Sequence, residues 1–160
     1  MFSSRAEWEE YQNPFAYSRL DPCNGSKKVL PLAGIRVLAL DDHDDTNRLF
    51  STVLELEGAL VKVFNTALPA LEVLEQFQPE LLICDLAMPG MDGDQFIVEV
   101  RARGWRMPAI AISGRCEQDC IAQALALGFN LYMRKPVHIK ELITNVIQLL
   151  VPQDLDTFGR

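Results

Sequence analysis

The chain has 160 residues, 49% of them hydrophobic, and a formal net charge of −7, which is enough apolar side chain for one packed domain with extensions. No apolar run is long enough to cross a bilayer, and the N-terminus has acids and aromatics where a signal peptide needs a continuous apolar segment. Residues 1–34 carry four basic and four acidic residues and the remainder 11 basic and 18 acidic; an acidic body without clustered Lys and Arg is a poor nucleic-acid binder, and the expected location is the cytoplasm.

In the N-terminal extension, 1–34, Trp8, Tyr11 and Phe15 fall roughly on one helical face, but Pro14 cuts a helix short there. The stretch 22–26 reads as a turn. Three exposed aromatics are unusual. A short helix near residues 5–12 is therefore expected, docked on the main domain or on a second copy; a mobile leader is the other reading.

From residue 35 strands and helices alternate. An apolar run at 35–40 predicts a buried strand, ending in Asp41 and Asp42. A helix is expected from Asp44 or Asp45, where acids suit a helix N-terminus. Its apolar face is predicted as Leu49, Val53 and Leu56, widened by Phe50 and Leu54, and Gly58 stops it. A short strand at 60–64 follows. Thr66 is placed to cap the next helix, with Ala67, Leu71 and Leu74 inward, and Pro79 ends that unit.

The third strand, 81–85, closes in Asp85 and is followed by a Pro/Gly loop, Met88-Pro89-Gly90-Met91-Asp92-Gly93. Phe96 and Val100 mark the third helix, closed by Gly104. The fourth strand, 108–113, ends in Ser113. Ile121, Leu125 and Leu127 belong to the fourth helix, ended by Gly128. The fifth strand, 131–133, runs into Arg134-Lys135-Pro136. Ile139, Leu142, Val146, Leu149 and Leu150 form the last helix. Five such units imply a doubly wound α/β fold with one parallel sheet, because crossovers are right-handed. In such a sheet all C-terminal strand ends share one edge, and ligands bind there. That edge would gather three acids, a hydroxyl and a lysine.

The acid pair, the run Asp85-x-x-Met88-Pro89-x-x-Asp92-Gly93, the hydroxyl residue Ser113 and Lys135-Pro136 resemble the receiver domain of two-component response regulators, a five-stranded flavodoxin-like fold of the CheY type. The resemblance covers 35–150 and leaves out the extension and a C-terminal tail, 151–160. It implies that Asp85 accepts a phosphoryl group from a phosphohistidine on a sensor histidine kinase or a histidine phosphotransfer protein. Phosphoryl transfer needs an in-line nucleophile and cationic neutralisation of the equatorial oxygens. Three acids at one edge need a cation, and Asp41, Asp42 and Asp85 are hard oxygen ligands suited to Mg²⁺. By resemblance, the Ala87 backbone carbonyl is a further ligand. Lys135 reaches Asp85 and then a phosphoryl oxygen, and Ser113 gives a hydrogen bond to another.

The same resemblance implies a switch in which Tyr132 turns inward behind Ser113, and a phosphoryl lifetime tuned by Ala87 and Arg115. Ala87 has no side-chain group to orient a water and Arg115 can cover the phosphoryl group, so slow self-hydrolysis is expected. The domain would catalyse its own phosphoryl transfer and loss, with no separate substrate. Its output is expected through a downstream protein target, since about ten residues follow the last helix. Membrane insertion is not expected, and a homodimer is allowed.

Pro89, Asp92 and Gly93 read as structural. His43 reads as solvent-facing. Cys116 and Cys120 stand one helical turn apart, but with only two histidines in the chain they lack further ligands for a metal site. Small buried thiols are the plainer reading of Cys84, Cys116 and Cys120. Two other functions remain. Asp42-His43-Asp44-Asp45-Thr46 fits the Asp-x-Asp-x-Thr pattern of haloacid-dehalogenase-type phosphatases, with Asp42 as nucleophile, although the late acidic pair of that family is missing. A receiver-like module that binds partners without phosphorylation is the second.

Overall fold

The structure, a computed structural model, describes residues 30–115 and 117–150. The expected arm helix at 5–12, the tail and Cys116 lie outside the described residues. Five parallel strands alternate with five helices: β1 Arg36–Leu40, α1 Asp44–Leu56, β2 Leu60–Phe64, α2 Ala67–Phe77, β3 Leu81–Asp85, α3 Gly93–Ala102, β4 Ala109–Ser113, α4 Gln118–Leu127, β5 Leu131–Arg134 and α5 Ile139–Leu150. The strand order is β2-β1-β3-β4-β5, the doubly wound arrangement with its switch point beside β1 and β3.

The apolar runs of β3 and β4 are buried on both faces, and strand alternation divides their side chains between two cores. Leu38, Leu40, Leu82, Cys84 and Ala111 face α2, α3 and α4, packing with Leu74, Phe96 and Ala124. Val37, Ala39, Ile83, Ile110 and Ile112 face α1 and α5, packing with Phe50, Leu54, Leu142 and Val146. Leu32 is also buried in this second core. The packed unit therefore begins with the turn before residue 35, which is tied to the end of α1 by the Leu32 N–H to the Glu57 carbonyl at 2.9 Å.

Two helix faces differ from the sequence reading. In α1 Phe50 and Leu54 are buried as expected, joined by Asn47, whereas Leu49 and Leu56 are 46% and 60% exposed. Polar Asn47 disguises the buried row. It is buried because its amide donates to the carbonyls of Asp41, at 2.7 Å, and Phe64, at 3.2 Å. In α4 only Ala124 is fully buried, and Leu125 is 44% exposed. Thr66 holds the N-cap position of α2 without a side-chain bond.

Candidate functional site

Asp41 follows β1, and Asp85 and Ser113 are the last residues of β3 and β4; all three are buried. Parallel pairing aligns these ends, with Asp85 level with Ile112 and Leu40 level with Cys84. Burying two carboxylates near each other is costly unless cations or donors satisfy them. Lys135, just after β5, supplies the positive charge. Its Nζ donates to Asp85 Oδ2 at 2.9 Å and to Asp41 Oδ2 at 3.1 Å. Burial works against the charged ammonium, but these bonds and the two negative charges outweigh it and hold the Lys135 pKa above its ordinary value. Its reach to Asp41 as well as Asp85 was not foreseen from the sequence.

Asp42 is half-buried, and its Oδ1 is shielded from solvent without a hydrogen bond. The contact nearest to one is an ion-pair distance of 3.0 Å to His43 Nδ1. His43 is exposed, as expected, yet it turns back on the acids: its N–H donates to Asp41 Oδ1 at 2.9 Å and its Nδ1 lies 3.1 Å from the same oxygen. That hydrogen bond, then the charge of Asp42, raises the imidazole pKa. One ligand atom from each of Asp41, Asp42, His43 and Asp85 lies within 4.8 Å of the others. A carboxylate oxygen without a donor, among three acids, fits a hard divalent cation with oxygen ligands.

The loop after β3 is held by its own sequence. The Ala87 N–H donates to Asp85 Oδ1 at 2.9 Å, and the Ala87 side chain is exposed. Asp92 caps α3 in a reciprocal box with Gln95, which satisfies two otherwise unpaired N–H groups. Gly93 is buried, and a Cβ there would stand 2.5 Å from the Asp85 carbonyl oxygen. The Asp-Gly pair thus shapes the loop, as the sequence reading has it. Cys84 donates to the Asp85 carbonyl at 3.3 Å; burial and then the Asp85 charge push its thiol pKa well up, so it is an inert packing residue.

The loop after β4 is held more lightly. Ser113 Oγ accepts from the Arg115 N–H at 3.1 Å. Tyr132 is half-buried against the first core, and its hydroxyl donates to the Arg115 carbonyl at 2.8 Å. The Arg115 side chain is exposed. Cys120 is half-buried and its thiol donates to Glu117 Oε2 at 3.2 Å. Asn47 was missed as a supporting residue; a lone amide within an apolar helix face is the signal that could have found it.

The edge therefore brings together Asp41, Asp42, Asp85 and Lys135, with Ser113 at the end of the adjoining strand. Asp44, the second acid of the phosphatase-like pattern, instead accepts from the Asn65 side chain beyond β2. Among the described residues no helix is long and apolar enough to cross a membrane.

The family model described as the response regulator receiver domain matches residues 37–147. The "uncharacterized 14.6 kDa protein in sodA1 3'region" of Leptolyngbya boryana is 43% identical over 127 residues, 77% of this chain and 97% of that protein. The Regulator of RpoS of Escherichia coli K12 is 36% identical over 107 residues, 67% of this chain and 32% of that protein. This chain thus spans nearly all of the first relative and about a third of the second. Among solved structures, the receiver domain of the Francisella response regulator 1452 superposes with a TM-score of 0.70 at 26% identity, covering 73% of this chain and 97% of that one.

Proposed function

Since this chain belongs to the response regulator receiver family, we propose that it takes a phosphoryl group onto Asp85 from a phosphohistidine on a sensor kinase or a histidine phosphotransfer protein. The observation that carries this reading is the bridge of Lys135 Nζ between Asp85 and Asp41, beside an Asp42 oxygen that has no hydrogen bond. In the step, an Asp85 carboxylate oxygen attacks phosphorus. The P–N bond to the donor imidazole breaks, its electron pair returns to that nitrogen, and an acyl phosphate forms. Lys135 exchanges part of its bond to Asp85 for a phosphoryl oxygen. Ser113, whose Oγ accepts from Arg115, still has its own proton to donate to a second oxygen. The buried strand ends hold these groups in place before the reaction, so little reorganisation is needed.

Asp41, Asp42 and Asp85, with the Ala87 carbonyl, would hold Mg²⁺, which supplies neutralising charge for the phosphoryl oxygens when bound. Phosphorylation pulls Ser113 and its loop inward, and Tyr132 follows, biasing a two-state equilibrium that a downstream protein reads. The activity is self-phosphorylation and self-hydrolysis, with no separate substrate. Hydrolysis is slow because Ala87 cannot orient a water and the Arg115 side chain can cover the phosphoryl group; decay within seconds at room temperature would refute that part. The phosphatase reading loses its support, because Asp44 is engaged with Asn65 rather than the acidic edge.

Intact mass after incubation with Mg²⁺ and a small acyl phosphate tests the assignment. The parent should gain one phosphate, and Asp85→Asn and chelator-treated protein none. If no donor, purified histidine kinases included, adds phosphate, the unphosphorylated binding module takes its place.

A further inference from the structure

Leu49 and Leu56 of α1 are 46% and 60% exposed, and half-buried Val53 lies between them. These positions repeat at four and three residues, so they form one continuous row. Asp44 and Asn47, on the opposite flank, are the ones engaged with Asn65 at the end of β2. Nothing described covers the Leu49 flank. Water-facing leucines scattered singly need no explanation, but an aligned apolar row on one helix is a surface that gains by being covered.

The chain leaves the domain at this same helix. The Leu32 N–H bonds to the carbonyl of Glu57, the residue after Leu56, and the Gly34 N–H to the carbonyl of Gly58 at 3.0 Å. Leu30 is packed over Gly58, where a Cβ would stand 3.0 Å from the leucine side chain. Residues 1–29 therefore start out from the Leu56 end of the exposed row. They carry Trp8, Tyr11 and Phe15, at intervals of three and four, beside the four-and-three spacing of the row. From residue 15 to residue 30 the chain can span about 50 Å at roughly 3.3 Å per residue, and the row is only about 10 Å long. Lys27 and Lys28 precede the anchored turn, and Glu55 and Glu57 stand at that end of α1, so charge also favours a return along the helix.

We propose that the N-terminal arm of this chain folds back on its own domain and covers Leu49, Val53 and Leu56 of α1 with Trp8, Tyr11 and Phe15. The contact is intramolecular, because the tether holds the arm at high effective concentration beside the row. It is independent of the phosphoryl chemistry.

The test uses the full chain with Trp105→Phe, which leaves Trp8 as the sole tryptophan. Its emission should lie at shorter wavelength than in denaturant, at every protein concentration. Adding Leu49→Glu and Leu56→Glu should move it to the denatured value, while Leu68→Glu, on the exposed start of α2, should leave it in place. Both leucines are exposed, so the charges spare the core, which far-UV circular dichroism checks. In a second measurement, deleting residues 1–28 should shift amide resonances along the 49–56 row. Emission at the denatured value in the Trp105→Phe protein overturns the proposal. So does a short-wavelength emission that ignores Leu49→Glu and Leu56→Glu, which puts the arm elsewhere, or one that appears only at high concentration, which puts it on a second copy. Resonance shifts confined to another surface count against it equally.

Discussion

The loops that follow β3 and β4 lie side by side at the same sheet edge, yet they are built to opposite standards. After β3, a backbone N–H reaches back to Asp85, a reciprocal capping box fixes the start of α3, and Gly93 lies under the Asp85 carbonyl with no room for a side chain. After β4, Gly114 has open space around it, the N-cap Glu117 side chain caps no backbone N–H, and α4 fully buries only Ala124. The first arrangement holds Asp85, the proposed phosphoryl acceptor, still. The second leaves a segment with few stabilising contacts, the kind from which moving elements are drawn.

Glycine substitutions should break this comparison most sharply. Gly93→Ala forces its Cβ against backbone at 2.5 and 2.8 Å, and should cost about 3 kcal/mol of stability by urea unfolding. Gly114→Ala should stay within about 0.5 kcal/mol. Equal effects would erase the distinction. The caps give a smaller version: Asp92→Ala should cost about 1 kcal/mol, and Glu117→Ala, which removes no capping bond, clearly less. Tyr132→Phe removes the hydroxyl bond to the Arg115 carbonyl and should cost about 0.5–1 kcal/mol, with faster amide exchange over the β4–α4 loop as the specific sign.

The smallest effect sits where the two halves are stitched together. Asp94 of α3 accepts from Gln123 of α4 at 3.0 Å. Burial and then the Asp92 charge raise its pKa above the usual carboxylate value. A carboxyl with a raised folded-state pKa binds its proton more tightly when folded, so it costs stability once pH rises above the unfolded value. Asp94→Asn should therefore be neutral to slightly stabilising at pH 7. Measured by urea unfolding across pH, that gain should vanish as pH falls through the carboxylate range. A gain that grows in acid would reverse the assigned sign.

Much of this contrast was legible before the fold. Asp41, Asp85, Ser113 and Lys135 could be placed because each ends or follows an apolar run whose strand identity is local, and parallel pairing then brings the ends together. Asp92 and Gly93 were readable as loop-shaping for the same reason. What escaped depends on neighbours distant in sequence. Asn47 is buried because carbonyls of two other elements await its amide. His43 faces solvent by position but turns to Asp41 and Asp42. The α1 face was drawn too wide: Phe50 and Leu54 are buried as expected, but Leu49 and Leu56 satisfy the same periodicity, and only packing against the sheet chooses between them. The Tyr132 bond to Arg115 joins positions on separate units, which no local pattern encodes.

Amide hydrogen exchange, followed by mass spectrometry with and without the phosphoryl group on the protein, tests the division of labour most directly. Residues 86–93 should keep their protection in both states, and residues 114–120 should be poorly protected at rest and slow markedly on phosphorylation. A change centred on the β3–α3 loop, with the β4–α4 loop unaltered, would contradict the account.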